Sequence, residues 1–274
     1  MAAAQLLQII THHPTYACVQ VDGPPPAFIA ALQDALLYDV PCLGVHTVHI
    51  DTAPRRAHGD ALALSLGLVP LQCTDLQPGA AQDAAAAVGV FAVDGSGTRG
   101  ATLCAGDIVW QPRTPSACRA VYPEVRVATV PPGERLAGHV IAAWGTGRNG
   151  LPWKPVSAVW WEAWAFMSWR VAPGDLTPDQ RAALRDAMPS AEGFDAACAH
   201  PVGEPFEVVV AAGMRELLAS EEAWGALFEY VVPDCPRTWV HLETNGQVSA
   251  LQALHHALAA MHTDLGVVHA ALLA

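Results

Sequence analysis

A glycine-rich motif at residues 145–150, Gly-Thr-Gly-Arg-Asn-Gly, has the spacing of a dinucleotide-binding loop. In such loops the last glycine opens a helix, and the N-terminus of that helix meets the pyrophosphate. Here the motif runs into Leu-Pro-Trp-Lys-Pro at 151–155, and two prolines so close together are incompatible with a helix. The sequence therefore predicts a turn, and we expect no cofactor and no cofactor-binding residue.

Histidine and cysteine are the residues that would hold a transition metal. Among twelve histidines, His255 and His256 are adjacent on a predicted helix, where neighbouring side chains diverge too far to share an ion. The cysteines form no C-x-x-C pair, and their odd number and wide spacing predict neither a disulfide framework nor a zinc site. We expect no metal ligand and a reducing compartment. The cysteines are Cys18, Cys42, Cys73, Cys104, Cys118, Cys198 and Cys235.

A catalytic nucleophile would need a neighbouring base and a group that orients it. The G-x-S-x-G signature is absent and the acidic residues are dispersed, so no catalytic residue is predicted. The segment 153–169 is rich in tryptophan. Its rings are either the core of a domain or a surface for a partner, where tryptophan is favoured.

Composition limits the classes of function. The chain has 274 residues, a formal net charge of −12 and only 15% charged residues. Nucleic-acid affinity comes from Lys and Arg, so direct contact with a phosphate backbone is not expected. A low charge fraction indicates surface that lies against partners. No signal peptide and no transmembrane run are predicted.

Strands and helices follow one another without strict βαβ alternation, which predicts an α+β fold. Thr177 and Pro178 mark a helix start. Strands are predicted at 6–10, 16–21, 43–50, 88–93, 108–110, 125–130, 139–143, 206–210, 223–232 and 238–242, with a turn at 12–14. Helices are predicted at 28–39, at 60–66, from 178 onward and at 251–272.

The last helix carries apolar residues spaced alternately by three and four positions, the a/d pattern of a heptad repeat. The stripe either packs wholly on its own domain or packs partly on another subunit. Three heptads are few for a free coiled coil, which favours docking onto a sheet and a neighbour. The stripe consists of Leu251, Leu254, Leu258, Met261, Leu265, Val268 and Leu272.

Four stretches in order resemble the alpha-like subunits of multisubunit RNA polymerases (bacterial alpha, archaeal D and the eukaryotic 40-kilodalton class). Residues 28–45, FIAALQDALLYDVPCLGV, are similar to the family's ANALRRILLSEVPTLAI. Residues 60–71, DALALSLGLVPL, are similar to DEILAHRLGLIPL. Residues 145–157, GTGRNGLPWKPVS, are similar to GIGKEHAKWSPVS, and 240–246, VHLETNG, resemble the family's FxVESTG strand before its closing helix.

The chain departs from the family pattern at basic positions. The paired arginines of the first stretch are Gln33 and Asp34 here, and the His-Arg of the second is Leu64 and Ser65. The metal-binding cysteines of some members are also missing. If those basic residues hold a large subunit, this chain uses other contacts, as expected of a diverged copy such as one from a large DNA virus.

The resemblance implies an α+β fold with a discontinuous dimerisation domain, 1–48 and 205–274, built of a sheet and two packed helices. It implies an inserted β-rich domain at 49–161 and a connecting segment at 162–204. The protein would be a non-catalytic scaffold. It would heterodimerise with a smaller L-like subunit and dock the two large catalytic subunits, with no direct contact to nucleic acid or membrane, in the nucleus or a viral compartment.

Apolar residues of the first and last helices are the expected partner interface. The alternatives are a stand-alone homodimeric enzyme of small-molecule metabolism and an adaptor that never joins a polymerase. An enzyme would need a pocket with convergent polar groups. The interface residues are Phe28, Leu32, Leu36, Leu251, Leu254, Leu258, Met261 and Leu265.

Overall fold

The computed structural model describes residues 7–55, 57–73, 87–95, 100–112, 118–188, 191–210, 224–234 and 236–273. In these ranges the protein is a mixed α+β fold with fourteen strands and five α-helices. The helices are α1 (Pro26–Tyr38), α2 (Gly59–Gly67), α3 (Pro178–Ala187), α4 (Ala191–Cys198) and α5 (Ala250–Leu273).

The strands belong to four sheets. Their bounds are β1 (Leu7–His13), β2 (Tyr16–Val21), β3 (Cys42–Thr52), β4 (Leu71–Cys73), β5 (Ala87–Asp94), β6 (Ala101–Cys104), β7 (Val109–Pro112), β8 (Cys118–Ala120), β9 (Arg126–Val130), β10 (Arg135–Gly145), β11 (Val156–Trp169), β12 (Phe206–Val210), β13 (Phe228–Val231) and β14 (Thr238–Thr244). The largest sheet has the order β1-β2-β14-β11-β12, with β13 also paired to β11. The others are β3-β10-β5-β7, β4-β8 and β6-β9.

The chain divides into two compact units. The first unit comprises residues 1–11, 18–30 and 160–241, and the second comprises 12–17, 31–159 and 242–274. Much of the predicted connecting segment 162–204 contributes to the core of the first unit. The predicted dimerisation and inserted domains follow other boundaries and stay a prediction.

The core of the second unit is held between α2 and the β3-β10-β5-β7 sheet. Leu136, Val140 and Ala142 alternate inward along β10. Gly138 interrupts this row because the strands approach closely there. A Cβ at Gly138 would lie 2.2 Å from the backbone oxygen of His49, so only glycine fits.

The core of the first unit surrounds Trp169, the last residue of β11, whose indole N–H donates to the carbonyl of Ala197 at 2.8 Å. α3 packs on this core. As predicted, it begins at Pro178 with Thr177 as its N-cap. The Thr177 hydroxyl accepts from the Gln180 amide, and the Gln180 side chain accepts from the Thr177 amide.

Several sequence-based boundaries were wrong. β1 continues to His13, so the predicted turn at 12–14 falls instead at Pro14 and Thr15. The strand predicted at 223–232 is confined to Phe228–Val231 within the described residues. β11 was not predicted, because the tryptophan-rich run lacks a clean alternation of apolar and polar residues. α4 was not predicted either. No helix in the described ranges is both long and apolar enough to cross a bilayer.

Candidate partner interface

The last helix, α5, is covered on one face along its first half only. Its fully buried residues are Ala250, Ala253, Leu254 and Ala257. From residue 262 to 267 every side chain is exposed, and Leu265 retains 67% of its accessible surface. Val267 is similarly open, at 64%, so two large apolar side chains of this half face solvent.

The first helix, α1, is covered by the chain itself. Leu32 and Leu36 are fully buried, and Phe28 is half-buried. Leu32 and Leu36 therefore offer no surface to a partner, and their burial holds α1 in place.

The eight predicted interface residues thus fall into three groups. Leu32, Leu36 and Leu254 are buried. Leu265 is exposed. The half-buried ones are Phe28, Leu251, Leu258 and Met261. Their role as an interface stays a prediction, and its accessible part is the later half of α5.

The C-terminal end of α1 is tied to the glycine-rich turn by charge. The guanidinium of Arg148 binds Asp39 through both its Nε and a terminal nitrogen, and a terminal nitrogen also lies 2.8 Å from Asp34 Oδ2. These hydrogen bonds, first that to Asp39, raise the pKa of Arg148. Lys154 Nζ sits 4.6 Å from the centre of the Tyr38 ring, a cation–π distance.

The glycines of this turn allow close packing. A Cβ at Gly145 would lie 2.7 Å from two atoms of the Trp153 indole, and one at Gly147 would lie 2.6 Å from the Leu37 carbonyl. The buried Trp153 donates its indole N–H to the carbonyl of Ala143 at 2.9 Å. After Gly145 the chain makes a turn and a short 3-10 helix at Leu151–Trp153, so the predicted turn is confirmed.

A buried glutamine joins the same region to the segment before α5. Gln247 is 5% exposed, and its Nε2 donates to the Leu43 carbonyl at 2.9 Å and to the Pro152 carbonyl at 3.3 Å. Its Oε1 accepts from Asn245 Nδ2 at 2.8 Å. We call Asp34, Tyr38, Asp39, Arg148, Lys154 and Gln247 the motif junction.

The four stretches that carried the family resemblance lie largely in the second unit. Stretches 28–45, 145–157 and 240–246 are joined at the motif junction. Stretch 60–71 supplies Leu62, Leu66 and Leu71 to the same core cluster as Leu43. Sequence reasoning missed Gln247, which lies just after the fourth stretch and whose only signal was that position. It also missed the ion pair between Arg148 and Asp34. The signal for it was the aspartate at position 34, where the family has an arginine.

Replacing Arg148 by alanine is expected to lower the thermal midpoint slightly at low salt. The pairs it makes are exposed and therefore weak, and salt screens them. Thermal unfolding of the wild type and of Arg148→Ala at ~0.02 M and ~1 M NaCl checks this, since the Debye length falls to about 3 Å at the higher salt. If the thermal midpoint of Arg148→Ala stays below that of the wild type at high salt, Arg148 acts through packing on Tyr38.

The chemistry available elsewhere in the described residues is limited. No group of three or more His, Cys, Asp or Glu side chains there could hold a metal. Burial raises the pKa of the Cys42 thiol to about 12, which makes it a poor nucleophile. Burial lowers the pKa of His241, and the nearby Glu162 opposes that shift.

Two surface clefts lie among the described residues. One, of about 190 Å³, lies beside α2 with Pro54, Leu62 and Leu136 in its lining. The other, of about 150 Å³, lies in the first unit and is lined by Trp164, Phe206 and their neighbours. Typical ligand pockets run from roughly 300 Å³ upward. Neither cleft supports the alternative of a small-molecule enzyme.

The aromatic segment contains both buried and exposed rings. Trp153 and Trp169 are core residues, whereas Trp160, Trp161 and Phe166 lie at the surface. The Trp160 ring stacks on His241 at 4.9 Å between ring centres.

A mixed α+β fold is compatible with the alpha-like class of RNA polymerase subunits, which the four stretches resemble in sequence. A comparison with curated proteins supports this class. The chain is similar to the DNA-directed RNA polymerase subunit Rpo3 of Aeropyrum pernix, with 28% identity over 154 residues. The match covers 51% of this chain and 52% of Rpo3, about half of each. No family model matches the chain.

Proposed function

We propose that this protein is a non-catalytic assembly subunit of a DNA-dependent RNA polymerase. The observation that carries the proposal is the meeting of the family-like stretches, three of them joined by hydrogen bonds at the motif junction and the fourth sharing the core cluster of Leu43. Stretches far apart in sequence thus pack together, as expected if they belong to one family pattern. The similarity to Rpo3 over half the chain supports it independently.

In this proposal the later half of α5 binds a smaller L-like subunit. Leu258, Met261 and Leu265 lie within about 60° of one another around the helix axis, so they form a single stripe. The buried residues do not contact the partner but support the interface by holding α1 and the first half of α5 in place; they are Leu32, Leu36 and Leu254. The dimerisation domain comprises 1–48 and 205–274, and the inserted domain comprises 49–161.

The two large catalytic subunits dock on the inserted domain, and the active-site chemistry belongs to them. The net charge of −12 keeps this subunit away from nucleic acid, because like charges repel. The protein then works wherever its polymerase transcribes, in a nucleus or a viral compartment.

The test is affinity purification of the tagged full chain from its native source, followed by mass spectrometry. We expect two large polymerase subunits and one smaller alpha-like subunit in near-equal amounts. The same chain expressed alone should aggregate through the open face of α5. A preparation without any polymerase subunit, together with a well-behaved homodimer in isolation, would favour the small-molecule enzyme instead.

A further inference from the structure

Two cysteines face each other across the short β4-β8 sheet of the second unit. The strands run antiparallel, with Cys73, the last residue of β4, opposite Cys118, the first residue of β8. Both are free thiols and both are half-buried.

The hydrogen-bond register of the sheet fixes how closely the two residues approach. The amide of Val121 donates to the carbonyl of Pro70 at 2.9 Å, so these two positions form a hydrogen-bonded pair. Hydrogen-bonded and non-hydrogen-bonded pairs alternate along an antiparallel ladder. Counting three positions along the ladder makes Cys73 and Cys118 a non-hydrogen-bonded pair.

That type of pair has the spacing a disulfide needs. Opposite residues at a non-hydrogen-bonded position have Cα atoms about 4.5 Å apart and side chains closer than at the other positions. A disulfide joins Cα atoms roughly 4.4–6.8 Å apart. The backbone of the β4-β8 sheet therefore needs no large movement to accept the bond.

The side chains also lie on the same face. Gln72 and Arg119 hydrogen-bond to each other at 3.1 Å on one side of the sheet. Successive side chains of a strand point to opposite faces. Cys73 and Cys118 therefore share the other face, where both pack against the hydrophobic core of the second unit.

The Cys118 thiol lies in a partly buried environment beside Cys73. Burial first, and the neighbouring Cys73 second, raise the pKa of the Cys118 thiol to about 12. Cys118 is thus almost fully protonated at neutral pH, which makes it a poor first nucleophile.

We infer that Cys73 and Cys118 form a reversible disulfide when the protein meets a low-molecular-weight disulfide such as oxidised glutathione. The Cys73 sulfur attacks the glutathione disulfide first, because Cys118 is almost fully protonated, and releases one glutathione thiol. The second protein sulfur then attacks the mixed disulfide and releases the other. The protein loses two electrons and two thiol protons, and both appear in the two glutathione thiols.

The disulfide would stabilise the β4-β8 sheet against unfolding. The β4-β8 sheet has three residue pairs, and two-stranded sheets are marginal on their own. The cross-link encloses residues 74–117, and closing so long a loop restricts the unfolded chain. The oxidised protein is then more resistant to unfolding than the reduced one.

The test is peptide mapping of the native full chain after incubation with oxidised glutathione and alkylation of remaining thiols. Trypsin separates the relevant cysteines, because Cys73 lies in peptide 57–99 and Cys118 in peptide 114–119. We expect these two peptides to be linked as the main product, with the loss of two hydrogens. We also expect the thermal midpoint to rise by roughly 5–10 °C and to return after dithiothreitol.

The matched control is Cys104→Ser, because Cys104 is also half-buried and lies alone in tryptic peptide 100–113. Cys104→Ser should still give the linked peptides and the rise in thermal midpoint. Cys118→Ser should give neither. The inference is overturned if the native wild type yields only glutathione adducts, or if 57–99 links to 100–113 as often as to 114–119. If all the protein carries the disulfide and its thermal midpoint is unchanged, the disulfide does not stabilise the fold.

Discussion

Replacing Leu265 by aspartate is expected to abolish association with the smaller subunit while leaving the fold of this chain intact. Leu265 is 67% exposed, so the isolated chain loses little packing. In the proposed complex the same position is buried, and an unpaired carboxylate there costs about 3–5 kcal/mol. That cost corresponds to a loss of roughly 100-fold or more in affinity. Co-purification with the partner after co-expression measures it.

The matched control for this prediction is Thr263→Asp on the same exposed half of α5. Thr263 is exposed and lies about 160° around the axis from Leu265, away from the apolar stripe. The Thr263→Asp substitution introduces the same charge two residues away, so its general effect on solubility equals that of Leu265→Asp. Equal retention of the partner by both variants would contradict the assignment of α5 as the interface.

Replacing Gln247 by glutamate is expected to destabilise the protein by roughly 2–4 kcal/mol at neutral pH. The Gln247 amide donates to the carbonyls of Leu43 and Pro152. A carboxylate of the same shape has no proton to donate, and it faces two carbonyl oxygens while nearly buried. Urea unfolding of the wild type and of Gln247→Glu at pH 8 gives the difference in free energy of unfolding.

The destabilisation caused by Gln247→Glu should be smaller at acidic pH. Once protonated, the introduced carboxyl can donate to one of the two carbonyls, so folding favours the neutral acid and raises the pKa of that group above the ordinary value of about 4.3. The destabilisation is then fully present above the folded-state pKa and is lost as the pH falls through it. Repeating the urea titrations at pH 5 against pH 8 checks the sign.

Gln252→Glu is the control for the same chemical change. The Gln252 Oε1 atom accepts from the amide and the hydroxyl of Ser249 at the start of α5. A carboxylate accepts those bonds as well and is favoured at a helix N-terminus, so the variant should be neutral or more stable by about 0.5 kcal/mol. Equal losses in both variants would mean that Gln247 is not a specific link.

The sequence by itself determined the elements whose signals are local. β2 was predicted with its observed bounds, and α1 and α2 were predicted to within two residues. The start of α3 followed from Thr177 and Pro178, because a cap acts on amides one turn away. The two prolines after the glycine-rich motif excluded an α-helix there for the same reason: proline acts on its own neighbours.

Signals that depend on distant neighbours could not be read this way. α5 carries a leucine stripe and, overlapping it, a row of alanines, and both repeat at helical spacing. Periodicity cannot choose between them. The fold covers the alanine side along the first half of the helix and leaves Leu265 open.

Tertiary structure alone decided the role of the motif junction and of the cysteine pair. Gln247 and Leu43 are separated by 204 positions, and no rule of spacing links an amide to a carbonyl so far away. Cys73 and Cys118 meet only because β4 and β8 pair in one register, and a slip of one residue would turn their side chains to opposite faces. Local chemistry thus set which segments became helix or strand, whereas packing between remote segments set which side chains meet.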